Sequence, residues 1–513
     1  MMHARTTLAM MILLASSLLA SGVLAQDGVR EGYNTSIPES IMTPDEVETS
    51  IGTLRFFDGM PDDATVKLTY DNLDRMRGVE SFLDFVPMAS LESLRRGFKQ
   101  VGATEPNEVL LFNELMDSNS LFLTGNTDTV YAASMIDLKK NGAMVVEIPA
   151  GAGPGTVNDA YFRFVIDMGA PGPDRGKGGK YLILPPDFEG EAPEGYFVVK
   201  SRTFTNWLIL RGLLVDGETG PANTMWRNGL KVYPLADASN PPKMKFDNAT
   251  GKAFNTVHAN DFSFFEEIDE VIQREPIGAL DPEIRGNLAS IGIQKGARFD
   301  PDERMKRLLT DAVAIGNATA RSLSFRPRSD SVYLYGEGSA WYTAFDGGSY
   351  QWLINDGNGG RNKDARSMFF YLATVNTPAM ILEMPGVGSQ YALASTDSEK
   401  RYLDGARNYR LAIPADVPAK DFWSIVAYDP QTRSMLQTDQ PYPSKNNKRN
   451  RDMVQNPDGS TTLWFGPQAP EGHELNWIQT VPGKGWFVLL RLYGPLEPWF
   501  EKTWRPGEFE RID

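Results

Sequence analysis

Polar and apolar positions along the chain switch between two periods. Thr43-Pro44-Asp45-Glu46 is a capping box with proline at the first helical position, and Val47, Ile51 and Leu54 follow at helical spacing. That pattern predicts an opening helix. Helical spacing also covers about 65 to 98 and a shorter run from 106 to about 117. From Thr129 the period becomes two. Runs 142–150, 160–168, 180–184 and 195–215 are bounded by Gly and Pro, and each is predicted as a strand. In AYFRFVIDM (160–168), Phe162, Phe164, Ile166 and Met168 share one face, while Tyr161, Arg163 and Asp167 share the other. The first face reads as core and the second as wet.

A second helical block follows. Asn260 and Asp261 stand ahead of Phe264, Phe265, Ile268, Val271 and Ile272, which lie on one side of a helix. Asp300-Pro301-Asp302-Glu303 repeats the cap-and-proline signal before Met305, Leu308, Leu309 and Ala312, and 363–372 predicts a further short helix. Strands return at 409–414, 422–429, 461–465, 476–481 and 485–493. Residues 147–167 and 412–429 both show Ile-Pro-Ala ending a strand, a Pro-containing turn, then Asp and aromatics. Shared turn chemistry accounts for that echo as readily as duplication. The expected fold is mainly β with helical insertions. It comprises an N-terminal helical segment (26–120), a β-sandwich-like domain (121–245), a helical insertion (246–330) and a C-terminal jelly-roll-like β domain (331–513).

Residues 1–25 read as a signal peptide. His3 and Arg5 precede an apolar core at 8–19, and Val23-Leu24-Ala25 supplies a small-x-small cleavage site. A membrane anchor is the alternative, for which the core is short. Cleavage after Ala25 leaves 50 basic against 66 acidic residues, a net charge of −16. That balance argues against nucleic acid and against anionic membrane surfaces as partners. Cysteine is absent from the chain, which excludes thiolate metal sites and Cys nucleophiles and fits a periplasmic or secreted bacterial protein. No second apolar run is long enough to span a bilayer.

GNTDTVYAASMIDL (125–138), followed by GGKYLILPP (178–186) and YFVVKSRTFTNW (196–207), resembles the N-terminal module of exported bacterial proteins carrying a domain of unknown function catalogued as 1254. KDFWSIVAYDPQTRSMLQTDQ (420–440), NWIQTVPGKGWFVLLRLYGPLEPW (476–499) and TWRPGEFE (503–510) resemble its usual companion, catalogued as 1214. The resemblance implies a β-sandwich-like domain, a helical insertion and a C-terminal jelly roll. It implies no activity and carries over no catalytic residue.

Candidate chemistry comes from the residues themselves. Only His258 and His473 follow the signal segment, so a three-histidine zinc site is excluded within one chain, and no Gly-x-Ser-x-Gly elbow is present. His258 stands before a capped helix, either as an acid/base or as a structural partner of a helix end; His473 reads as a solvated loop residue. Asp128 and Asp159 enter strands with Tyr131 and Tyr161 close behind, which suits carboxylate chemistry on an oxygen-rich substrate. An Asx turn of Asn126, Asp128 and Thr129 is the competing reading. GPDRGKGGK (172–180) has the wrong spacing for a phosphate loop and reads as a hairpin connection. Asn355-Asp356-Gly357-Asn358-Gly359 resembles a calcium-loop fragment but reads better as a plain turn, and KNNKRNR (445–451) as a solvated loop. Tryptophans in the β regions could stack on sugars or fill cores.

The leading expectation is an exported, hydrolase-like protein acting on a small oxygen-rich or glycan-type substrate. Asp128 and His258 would be catalytic, with Asn126, Tyr131, Tyr161, Arg163 and Asp261 binding substrate. The alternative is a non-catalytic ligand-binding or envelope-scaffold protein. The sequence names no cofactor and no metal ligand set, and leaves homo-oligomerisation open.

Overall fold

A computed structural model describes residues 32–513, so the signal-like segment lies outside the described residues. By internal contacts the chain divides into two units, one through Asn72 and one from Leu73 to Asp513. The first holds an antiparallel meander instead of the expected opening helix: Glu46–Thr49 pairs with Gly52–Phe57, which pairs with Met60–Pro61. Val47 and Leu54 fit a helical spacing, but Gly52 adopts φ 130° and turns the chain back so that Val47 sits opposite Leu54. Thr49 Oγ1 closes the turn on the Gly52 carbonyl at 2.6 Å. The long helix Asp63–Gln100 forms where its period predicts, and runs through Pro87.

The second unit is built on open sheets with helices packed among them; among the described residues no sheet closes into a barrel. Its centre is a six-stranded sheet in the order Lys245–Asn248, Glu108–Leu111, Thr129–Asp137, Thr205–Leu213, Gly155–Asp159, Phe164–Met168. Run 106–117 was expected to be helical, yet its apolar residues serve both faces of a buried strand. Val109 and Leu111 join one core, while Leu110 and Phe112 join the other. One face of this sheet, through Val130, Ala132, Leu208 and Leu210, packs on a four-stranded sheet containing Met144–Ile148 and Gly179–Leu184. The other face carries Tyr131, Ala133, Trp207 and Ile209.

That second face meets the helices and a C-terminal sheet ordered Ser389–Ala394, Phe487–Pro495, Ala419–Tyr428, Ser444–Asn446. Strand alternation divides this sheet too: Tyr391, Leu393 and Leu489 face the six-stranded sheet's core, while Ala392, Val488 and Leu490 pack on the sheet containing Tyr409–Ile413 and Thr461–Gly466. Helices Ser263–Arg274, Glu303–Phe325 and Lys363–Leu372 begin where the sequence predicts, with Asp261, Asp302 and Asn362 accepting from the backbone N–H groups of Ser263, Met305 and Ala365. The indoles go mostly into cores: Trp207, Trp341 and Trp499 are fully buried, which removes them as sugar platforms. No helix among the described residues is long and apolar enough to cross a membrane.

Run 160–168 is a correction. Its strand starts only at Phe164, because Ala160–Arg163 is a turn: Phe162 has φ 53° and its N–H donates to the Asp159 carbonyl at 2.9 Å. Asp159 Oδ1 holds that turn by accepting from the N–H groups of Tyr161 and Arg163. The expected wet face is therefore lost, with Tyr161 and Asp167 both buried.

Candidate functional site

The polar cluster heading the strand Thr129–Asp137 is a clasp between two sheets. Asn126 Oδ1 accepts from the N–H groups of Asp128 (2.9 Å) and Thr129 (3.2 Å), an Asx turn, and its Nδ2 donates to the Tyr131 hydroxyl. Asp128 points the other way. Its fully buried carboxylate accepts from Ser424 Oγ at 2.6 Å, Asn446 Nδ2 at 2.9 Å and the Tyr493 hydroxyl at 3.1 Å, all on the C-terminal sheet. Tyr428 donates to the Gly125 carbonyl at 2.7 Å and Arg491 Nη2 to the Thr124 carbonyl at 2.5 Å. Polar atoms this deep must pair with one another, which explains their density here. A Cβ at Gly125 would displace the Met116 thioether that packs against it. The stretch 445–451, expected to be a solvated loop, delivers Asn446 to this clasp.

Beside the clasp lies a cavity of about 50 Å³, room for roughly four waters. Its polar wall includes Tyr131 and Arg211 from the six-stranded sheet and Tyr391 and Arg491 from the C-terminal one, with Thr124, Thr343 and Thr374 beside them. Strand register brings them together: Arg211 is the direct partner of Tyr131, and Tyr391 that of Arg491. Phe345, Phe369, Met380 and Leu489 supply apolar wall. Both guanidiniums are buried, and among the described residues neither forms an ion pair with a carboxylate. Arg211 makes one long contact to Ser389 Oγ (3.4 Å); Arg491 spends Nη2 on the Thr124 carbonyl and the Tyr428 hydroxyl (2.8 Å), while its Nε has no partner. The Tyr391 hydroxyl, also buried, lies against Arg211 and Ser389 without a well-aligned hydrogen bond to either. Burial would raise the Tyr391 phenol, but the guanidiniums of Arg211 and Arg491 more than offset it and hold it below its ordinary value.

A second cavity, of about 20 Å³, adjoins the first and shares Ile209, Arg211, Val375 and Met380 with it. Asp167 and Thr377 stand on its wall. Thr377 Oγ1 lies 2.6 and 2.7 Å from the two Asp167 carboxyl oxygens. Burial pushes the Asp167 carboxyl up to about 6.

Of the residues expected from the sequence to form a site, Tyr131 reaches the cavity and Asn126 orients it. Asp128 lies outside the cavity lining, its carboxylate held by the C-terminal sheet. His258 does not line the cavity: its Nδ1 meets the Ala259 carbonyl at 2.9 Å, its Nε2 meets Arg433 Nη2 at 3.1 Å, and rings of Phe82, Phe264 and Tyr371 surround it. Burial first, then the charge of Arg433, lowers this imidazole to about 3, so it stays neutral and accepts from the arginine. Asp261 is spent on the helix start at Ser263. Arg163 is tied to Asp159 at 2.6 Å and to the Ala279 carbonyl at 2.8 Å, and Tyr161 packs against Phe85. These four residues belong to structural contacts outside the cavity lining. Among the described residues no group of three or more His, Asp or Glu is gathered closely enough to hold a metal ion.

Arg211, Arg491 and Tyr391 were not singled out by pattern or spacing. A signal for the arginines does exist: each is a lone charge ending an apolar strand run, Leu208-Ile209-Leu210-Arg211 and Val488-Leu489-Leu490-Arg491. A charge in a strand buried on both faces needs a partner or a ligand.

Comparison with known proteins divides the chain along the same line. Residues 106–234 match the family described as protein of unknown function DUF1254, and residues 388–497 match that described as protein of unknown function DUF1214. No curated protein matches. Among solved structures, the VPA0106 protein from Vibrio parahaemolyticus is similar over 85% of this chain and 100% of its own, at 18% identity and TM-score 0.51, a likeness of fold. An uncharacterised protein from Burkholderia cenocepacia matches over 87% of this chain and 96% of its own, at 12% identity and TM-score 0.39. Tyr131 and Arg211 fall in the first matched segment and Tyr391 and Arg491 in the second, so the chain carries both DUF1254 and DUF1214 and its cavity draws on each.

Proposed function

We propose that this protein binds a small oxygen-rich anion with an apolar body in the cavity between its two matched segments. The observation that carries the reading is the pair Arg211 and Arg491: two buried cations, free of carboxylate partners, on the wall of a cavity otherwise lined largely by apolar groups. Unpaired charges are costly in such surroundings, and a carboxylate ligand would accept from both guanidiniums and from Tyr131 or Tyr391. Export through the signal-like segment belongs to the same reading, as do a sandwich-like first β domain and a jelly-roll-like second one.

A hydrolase-like step in this cavity is the second reading. One observation favours it: the Tyr391 hydroxyl, buried on the cavity wall and held below its ordinary value between two guanidiniums, is suited to passing a proton to a bound oxygen. Asp128 supports it less, because three donors from the C-terminal sheet and the Thr127 hydroxyl already hold its carboxylate.

Thermal unfolding with millimolar acetate, butyrate, benzoate and phosphate tests the binding reading. At a hundredfold excess over Kd a ligand stabilises by about 2.7 kcal/mol, so at least one carboxylate should raise Tm for the natural chain and not for Arg491→Met. A panel without effect on the natural chain would count against it.

A further inference from the structure

The two adjoining cavities carry opposite, uncompensated charges. Arg211 and Arg491 leave the larger one positive. In the smaller one, Asp167 is 7% exposed, forms no ion pair among the described residues, and is met by the Thr377 hydroxyl. Register fixes their relation: Asp167 pairs with Thr156 and Thr156 with Ile209, so the three form one row across neighbouring strands, and Arg211 stands two residues beyond Ile209 on the same face. Two strand spacings and two residues separate the Cα atoms of Asp167 and Arg211 by about 12 Å, a span that their side chains shorten. Arg211 lines both hollows.

Resting on the anion-binding reading above, we propose that the two cavities form one site for a short ω-amino carboxylate, its carboxylate between Arg211 and Arg491 and its ammonium against Asp167. The joint volume favours a small molecule. About 50 and about 20 Å³ hold roughly five to seven water-sized groups, the size of 4-aminobutyrate. Charge separation also selects the ligand, since an α-amino acid presents its two charges on one carbon and cannot reach both ends. Four oxygen lone pairs on Asp167 meet two protein hydroxyls, those of Thr377 and Thr156, which leaves acceptor positions for an ammonium. With its carboxyl raised only to about 6, Asp167 is ionised near neutral pH.

Calorimetric titration of the full chain at about pH 7.5 with butyrate, 4-aminobutyrate, 5-aminopentanoate and glycine tests the proposal. One of the two ω-amino acids should bind at least tenfold more tightly than butyrate, and glycine should not compete. Asp167→Asn should erase that preference while leaving butyrate affinity within about threefold. Butyrate binding as tightly as both ω-amino acids would overturn the zwitterion site and leave the anion site standing. Binding of none of the four would overturn both. The comparison on the natural chain decides the matter even if Asp167→Asn fails to fold.

Discussion

Two regions of the second unit bury charge, and they treat it in opposite ways. Glu92, fully buried on the long helix, is met by Arg95 at 2.6 Å, Arg96 at 3.1 Å and Arg274 at 2.8 Å. Burial would raise this carboxyl, but the bonds and charges of Arg95 and Arg274 more than offset it and hold it at about 2. At the cavity, two arginines of similar burial face no carboxylate at all. Arg433 shows that the absence of an ion pair is not sufficient by itself: it is also buried without a carboxylate, yet it donates to Tyr371 and Gln431 carbonyls and to His258, and lines neither cavity. What marks a ligand site is therefore a buried charge with unfilled donors and a hollow beside it. A buried charge whose donors are filled is holding the fold.

Expected effects follow from that contrast, the largest first. Glu92→Gln removes the buried carboxylate that three guanidiniums share, leaving them only Glu267, Glu270 and Glu275, and should cost about 2–3 kcal/mol in urea unfolding, with ligand affinity of the folded fraction unchanged. Arg211→Met should do the reverse: stability within about 1 kcal/mol of the natural chain, and carboxylate affinity down about thirtyfold, or roughly 2 kcal/mol, by calorimetry. Equal stability losses in the two variants would erase the distinction. His258 sharpens it. An imidazole near 3 in the fold and near 6.5 unfolded gives stability that is complete above about pH 6.5 and falls as pH drops toward 3. His258→Gln keeps an acceptor for Arg433 and should flatten that slope by up to about 1.4 kcal/mol per pH unit. Tyr161→Phe should do least. It removes a hydroxyl that has no partner and does not line the cavity, so both Tm and ligand affinity should hold within error; a tenfold loss of affinity would restore the substrate-binding role read from the sequence.

Much of the framework was legible. Helix starts after Asp261 and at Asp302 and the strands of the C-terminal half follow from caps and alternation, which act over a few residues. The opening capping box misled, because three apolar residues at helical spacing also fit a hairpin, and the turn at Gly52 decides between them. At the site, Asn126 to Tyr131 stood out by polar density. The purpose of that density did not, because Asp128 finds Ser424 and Tyr493 some 300 residues away. Arg211 and Arg491 become a pair only when two sheets are stacked, and no local period records which faces will meet.

The central claim is that these two arginines hold an anion in the cavity. Crystals grown with 3-bromoacrylate, whose vinylic bromine is not displaced by its own carboxylate, test it most directly, through the anomalous signal of bromine. One strong peak is expected inside the cavity, against Phe345 and Met380, with the carboxylate within hydrogen-bond distance of Arg211 and Arg491. A cavity holding only water, with bromine confined to the surface, would contradict it.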